Sequence, residues 1–241
     1  MPYEPRTYRQ TVDPEGLTCF EVTIKETDLL VCAQRDLTDL AEDLIARARW
    51  ELEEFIRTHP YYRDSYTPVE LPEAVPEIVQ RMADASKVAN VGPMAAVAGA
   101  IAEHVARGLA KESPEVIVEN GGDIYLMGET DRVIALWAGE QGVSNVGLRV
   151  PAGLMPLAVC TSSGRIGHST SLGDSDAVTV LARNGALADA VATALANRVR
   201  EPDDIQAAIQ AARGILGILG VLATVDGHVG AWGNVHLVAL D

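Results

Sequence analysis

Val116–Gly128 reads VIVENGGDIYLMG. Two runs of apolar and β-branched residues flank Asn120-Gly121-Gly122-Asp123, and Asn-Gly is the strongest short hairpin signal because both central residues of such a turn take positive φ. The stretch therefore predicts two short antiparallel strands. Working outward, further strands are expected at Arg132–Ala138, Asn145–Val150, Leu157–Thr161 and Ala177–Ala182, and again near Leu216–Val225 and Val229–Leu240 around Asp226-Gly-His228. Upstream, LTCFEVTIKETDLLVCAQ (Leu17–Gln34) holds two β-rich runs separated by Lys25–Asp28. It predicts a second hairpin with Cys19 and Cys32 facing each other as two buried thiols.

Helices come from a different period. Between Asp36 and Thr58 the residues Leu37, Leu40, Leu44, Ile45, Ala48, Leu52, Phe55 and Ile56 recur at three and four positions, and the pattern stops before Pro60. His59–Ile78 carries four prolines and three tyrosines and reads as an extended surface connector, with Tyr61, Tyr62 and Tyr66 as ring-stacking groups. Gly92 then breaks the chain, Pro93 suits a first helical turn, and Met94–Ala110 continues as a helix of small residues that lets another backbone or a ligand come close. Two more helices are expected at Gly185–Val199 and Pro202–Arg213. Because strands fall in groups instead of alternating with helices, the fold class is α+β, with mixed and antiparallel sheets packed against helices. The expected organisation is one domain over 1–241, or two intimate lobes, 1–115 and 116–241.

The chain has 241 residues, 48% hydrophobic, 22% charged and only 5% aromatic, so its core rests on Ala, Val, Leu and Ile. Nineteen Lys and Arg stand against 34 Asp and Glu, a net charge of −15. Such a field repels phosphate backbones and anionic lipids, which argues against nucleic acid and membrane partners. An anionic ligand needs local help from backbone N–H groups, a metal or the few basic side chains. Three scattered cysteines, no basic and apolar leader, and no apolar run of the roughly 20 residues a membrane span needs predict a soluble cytoplasmic protein. A homodimer through an alanine-rich surface helix is a further expectation.

Two stretches carry chemistry. Thr161–Val180, TSSGRIGHSTSLGDSDAVTV, follows the apolar run that ends at Cys160. Hydroxyls and bare N–H groups of Thr161, Ser162, Ser163 and Gly164 at a strand end can cradle phosphate oxygens, Arg165 is the local positive charge, and His168 is suited to a general base or a phosphate ligand. A polar surface turn accounts for the same composition. A Ser-His-Asp hydrolase is disfavoured, since no G-x-S-x-G elbow precedes the loop and Ser163 lies too near His168 in sequence to fix a triad. In Ala186–Val199, ALADAVATALANRV, Asp189 and Thr193 are four apart on one helical face ringed by alanine. A carboxylate beside a hydroxyl is a hard-oxygen half-site suited to Mg²⁺, while an Asp serving the helix dipole and a Thr bonded back to its own helix fit the spacing too.

The order VGPMAAVAGAIAE, VENGGDIYL, CTSSGRIGHSTSLGDSDAVTV, LADAVATALAN and a closing GAWG resembles the uncharacterised ApbE-like proteins of anaerobic bacteria and archaea, distant relatives of the ApbE FAD:protein FMN transferases. The resemblance runs from about Tyr8 to the C-terminus. It implies an ApbE-like fold with a flavin or diphosphate ligand, FAD, held with Mg²⁺. Gly121, Gly122 and Asp123 match the transferases' GGD turn; Thr161, Ser162, Ser163 and Gly164 match their ATSG strand end. His168 matches their histidine, and Asp189 with Thr193 their metal-binding pair, a backbone carbonyl around Val91–Ala95 completing the set. The implied reaction passes FMN to a Ser or Thr hydroxyl of an acceptor protein and releases AMP, with His168 taking the proton. Where the transferases carry Asp-Pro after the histidine this chain has Ser169-Thr-Ser-Leu-Gly173, and their lysine-glycine element is absent from NVGPMAAVAGA. The resemblance thus implies a second expectation, a non-transferase ligand-binding accessory protein in an assembly of sulfur and homocysteine metabolism in anaerobes.

Overall fold

The computed structural model describes residues 14–136, 146–164 and 175–240. Within them eleven strands and six helices follow one another as β1 (Thr18–Ile24), β2 (Thr27–Ala33), α1 (Thr38–Thr58), α2 (Tyr61–Asp64), α3 (Glu77–Ala89), α4 (Val97–Leu109), β3 (Val116–Asn120), β4 (Asp123–Met127), β5 (Arg132–Leu136), β6 (Val146–Val150), β7 (Leu157–Ser162), β8 (Ala177–Ala182), α5 (Gly185–Ala196), α6 (Asp204–Arg213), β9 (Ile218–Val225), β10 (His228–Gly233) and β11 (Leu237–Ala239). Eight strands form one antiparallel sheet in the order β1-β2-β3-β4-β7-β8-β9-β10. The strands β5 and β6 leave it between β4 and β7 and pair with β11 in a second sheet, ordered β11-β6-β5. The fold is α+β, as the grouped strands predict.

Alternation along the strands explains the layering. Val116, Val118, Tyr125, Ala158, Cys160, Val178 and Val180 point into a core shared with the helices. Their neighbours Ile117, Ile124, Leu126, Leu157, Val159 and Leu181 point the other way, against Ile134, Leu148 and Val150 of the small sheet. Covered on both faces, β3 and β8 are buried at every residue and are mostly apolar, with Glu119, Asn120 and Thr179 as their buried polar members.

The central hairpin forms with a shifted turn. Asn120 pairs with Asp123, so the loop is Gly121-Gly122, at φ 66° and 103°. Both positions take positive φ, which two glycines adopt without the steric cost of a Cβ.

The helix α5 is buried on nearly every face and packs on α3, α4, β7 and β8. Its alanines make this feasible, and glycine makes the closest point: a Cβ on Gly99 of α4 would stand 2.3 Å from the Gly185 carbonyl oxygen, and one on Gly185 would stand 2.3 Å from that of Gly99.

Two sequence readings are corrected. The proline-rich segment is not wholly an extended surface connector: it contains α2 and leads into α3, and Tyr62 is fully buried, donating to the Val79 carbonyl at 2.8 Å and meeting Phe55 edge-on. Tyr61 and Tyr66 do stay exposed. The expected pair of buried thiols is a disulfide, because β1 and β2 set Cys19 directly opposite Cys32 with Cα atoms 4.1 Å apart, and Cys19 lies on the exposed side of the hairpin. The expected ends Ala138 and Asn145 lie outside the described residues. Among the described residues no helix is long and apolar enough to cross a membrane.

Candidate functional site

The hairpin tip, the end of β7 and the first half of α5 meet at one place. Asp123, the first residue of β4, is the cross-strand partner of Cys160. Its Oδ1 accepts the Thr161 backbone N–H at 3.2 Å, and the Cys160 thiol beside it helps to hold its carboxyl down. The same thiol reaches the Gly185 carbonyl at 3.7 Å. Opposite, Asp189 on α5 turns its Oδ2 to the Gly99 N–H at 2.9 Å, with the Ala98 N–H also bonded to the carboxylate. The hairpin is held to α4 by Asn120, whose Nδ2 donates to the Ala98 carbonyl at 3.0 Å. Glu119 braces the turn by accepting the Gly122 N–H at 2.8 Å. Gly122 comes close enough that a Cβ there would be 3.8 Å from the Thr161 carbonyl.

The electrostatics follow from burial. Asp123 is 6% exposed and Asp189 8%. Burial pushes the Asp189 carboxyl up to about 7, against the Gly99 and Ala98 N–H groups that pull it down. Burial pushes Asp123 well above the ordinary carboxylate range, and the Asp189 charge adds to it. The Cys160 thiol is raised for the same reasons, burial first and the two carboxylates next. Among the described residues no Lys, Arg or His forms an ion pair with Asp123 or Asp189. Nor does any group of three or more His, Cys, Asp and Glu there form a metal nest. A cation at this place would therefore be held by one carboxylate plus hydroxyl, carbonyl and water oxygens, a set that suits a small hard ion.

The sequence candidates divide into three groups. Asp123, Thr161 and Asp189 come together, with Gly122 alongside and Gly121 at the tip. Thr193 is half-buried one turn beyond Asp189 on the unbroken helix α5, and the 3₁₀ turn Pro93–Ala96, which supplies the carbonyls expected around Val91–Ala95, packs against the same helix. Ser162 is buried at the end of β7. Ser163 and Gly164 belong to a neck instead: the Gly164 N–H and the Ser163 hydroxyl both donate to the Ser175 carbonyl, at 3.0 and 3.4 Å. Ser175 in turn donates to the Ala196 carbonyl at 3.4 Å, at the far end of α5. That anchor lies about 10 Å along the helix from Asp189 at 1.5 Å per residue. Arg165 and His168 lie outside the described residues.

Sequence reading missed Gly99 and Cys160 as members of the cluster. The small-residue helix announced a close approach but not its partner. Cys160, next to Thr161, carried no signal until β4 and β7 were known to be neighbours.

The profile of a protein family described as "AbpE bacteria" matches residues 9–217. A UPF0280 protein of Methanocaldococcus jannaschii is 42% identical over 228 residues, covering 91% of this chain and 93% of its own. A UPF0280 protein of Methanococcus vannielii is 39% identical over 222 residues, covering 89% and 90%. Among solved structures, the Pseudomonas stutzeri flavinyl transferase ApbE in its apo form superposes with a TM-score of 0.52 at 15% identity, covering 90% of this chain and 94% of that one. The Vibrio cholerae flavin transferase ApbE gives 0.50 at 15% identity, covering 90% and 96%. At these identities the structural likeness speaks for the fold.

Proposed function

Since the chain belongs to the family described as AbpE bacteria, we propose that it binds a flavin dinucleotide or related diphosphate together with Mg²⁺ in the cleft between Asp123, Thr161 and Asp189. The transfer of FMN to a hydroxyl of an acceptor protein is the reaction this arrangement serves. One observation supports this above the others: two buried carboxylates, each accepting a backbone N–H, stand on the contacting elements β4 and α5 with no cationic partner among the described residues. A charge buried in that way is costly unless a proton or a bound cation offsets it.

Asp189 and Thr193 would hold the ion, with a carbonyl of the segment around Val91–Ala95. The bound ion would neutralise the diphosphate and polarise its phosphorus–oxygen bonds. The protein's own groups do the rest. The Gly99 N–H fixes the direction of the Asp189 carboxylate, and Asp123 holds the end of β7 through the Thr161 N–H. Gly121 and Gly122 keep the hairpin tip free of side chains. Ser162 and, on support from the sequence alone, Arg165 are proposed to contact the ligand's phosphates, while Ser163 and Gly164 hold the strand end through the Ser175 carbonyl. For His168, the proposed acceptor of the hydroxyl proton, support comes from the sequence alone. A chain of net charge −15 has few cations for a diphosphate, which makes the metal the natural carrier of positive charge.

Titration of FAD fluorescence tests the reading. FAD should bind more tightly with Mg²⁺ than without, and Asp189→Ala should remove the difference; flavin that binds under neither condition overturns the assignment. Release of AMP in the presence of an acceptor peptide then marks a transferase. Tight binding without AMP marks a ligand-binding accessory protein.

A further inference from the structure

The two helices that meet at the cleft carry the same five-residue pattern, GAIAE at Gly99–Glu103 in α4 and GALAD at Gly185–Asp189 in α5. The structure puts the pair into a reciprocal contact. Each glycine lies against the other's backbone, where a Cβ on either would meet the opposite carbonyl oxygen at 2.3 Å. Each carboxylate, four residues on, reaches the partner glycine's N–H in the first turn of the facing helix: Asp189 Oδ2 accepts from Gly99 at 2.9 Å, and Glu103 Oε2 from Gly185 at 2.7 Å. The first N–H groups of a helix have no partner within it and carry partial positive charge, so each helix caps the other.

The two carboxylates then part company. Glu103 is 1% exposed and fully compensated: Arg81 pairs with Oε2, Arg107 Nε donates to Oε1 at 2.7 Å, and the Tyr125 hydroxyl reaches Oε1 at 3.3 Å. Asp189 has the N–H groups but no Arg among the described residues. A buried ion pair contributes little net stability compared with apolar side chains of similar volume. The outlay on Glu103 is better accounted for by geometry, because the bond to Gly185 fixes where α5 starts relative to α4 and hence where Asp189 points.

We propose that Glu103 is the positioning residue of the cleft: by holding the Gly185 N–H, with Arg81 and Arg107 as its fixed counter-charges, it sets the α4–α5 crossing that aims Asp189 at the cation. The inference rests on the reading of Asp189 as a cation ligand, so its test has one arm that needs no cation.

In the first arm, amide hydrogen exchange is followed in the metal-free full chain. Glu103→Gln should speed exchange at Gly99 at least tenfold relative to Leu109 at the other end of α4. A triple variant, Glu103→Leu with Arg81→Leu and Arg107→Leu, removes the buried carboxylate together with its two counter-charges; it should remain folded and still lose Gly99 protection. In the second arm, Mn²⁺ binding is read by electron paramagnetic resonance. Affinity should fall by about tenfold or more in both variants, the scale seen when a group supporting a metal ligand is lost, while Ile134→Val, which loosens the separate core on the opposite face of the large sheet, keeps wild-type affinity. Gly99 protection and Mn²⁺ affinity unchanged in the variants would overturn the role of Glu103. A wild-type protein that binds no Mn²⁺ would overturn the cation reading, and the exchange arm would still decide whether Glu103 positions Asp189.

Discussion

Asp189→Asn should make the cation-free protein more stable at pH 8 while abolishing its response to Mg²⁺. The argument starts from the carboxyl, raised from 3.8 to about 7 by burial. Between those values the unfolded chain has released this proton and the folded chain keeps it, so stability falls as pH rises from about 4 to about 7 and levels off above that. A shift of about three units corresponds to about 4 kcal/mol at 1.36 kcal/mol per unit. Asparagine keeps the acceptor for the Gly99 N–H and carries no charge, but leaves its own amide donors to be satisfied, which offsets roughly 1–3 kcal/mol of the gain. A net stabilisation of about 2 kcal/mol at pH 8 in a chain of this size corresponds to roughly 4–8 °C in midpoint temperature. Thermal unfolding followed by circular dichroism in EDTA, at pH 5.5 and 8, measures it. The two proteins should lie close together at pH 5.5 and separate at pH 8, and millimolar Mg²⁺ should close the gap at pH 8 by stabilising only the wild type. A gap independent of pH, or a variant less stable than wild type at pH 8, would refute the account of Asp189 as a buried carboxylate awaiting a cation.

Two other outcomes follow from the packing and the hairpin. Gly99→Ala forces a methyl to within 2.3 Å of the Gly185 carbonyl and 2.8 Å of the Asp189 Cβ; it should cost about 1–3 kcal/mol, the usual range for overpacking, and should weaken Mg²⁺-dependent flavin binding, both readable by denaturant titration and fluorescence. Thiol titration of the unfolded chain should count one thiol, from Cys160, before reduction and three after it; three in protein purified without reductant would show that Cys19 and Cys32 are not joined.

The fold was legible wherever a local rule and the tertiary context agreed. The period of α1, the apolar runs of β7 and β8 and the turn chemistry at Gly121-Gly122 each suffice for their element. The helix α3 was hidden because Pro72 and Pro76 drew attention to breakage, although Ile78, Val79, Met82 and Ala89 already stand at helical spacing. Tyr62 was misplaced for a related reason: a tyrosine in a polar, proline-rich segment looks exposed until Val79 is known to offer its hydroxyl an acceptor. At the candidate site, Asp189 and Thr193 were visible as a spacing on one helix. The convergence of Asp189 with Asp123 depends on residues 66 positions apart in sequence meeting across a sheet and a helix, and no periodicity encodes that. The same holds for GAIAE and GALAD, whose likeness has meaning only once the two helices are seen to cross.

The near-complete burial of α5 sets the terms on which this protein can vary. Its neighbours are α3, α4, β7, β8 and the 93–96 turn, so an enlarged side chain on almost any face presses on a different part of the molecule. Helices that line a surface accumulate substitutions on their wet side; this one has scarcely any wet side to lend. Most of its sequence is therefore constrained by volume, and its tolerance for change is concentrated at the half-buried Leu187 and Thr193. One of these two is the hydroxyl beside the proposed cation, so a scan of all substitutions along the helix should find Leu187 the freest position and Thr193 tolerant of change in stability but not in metal response.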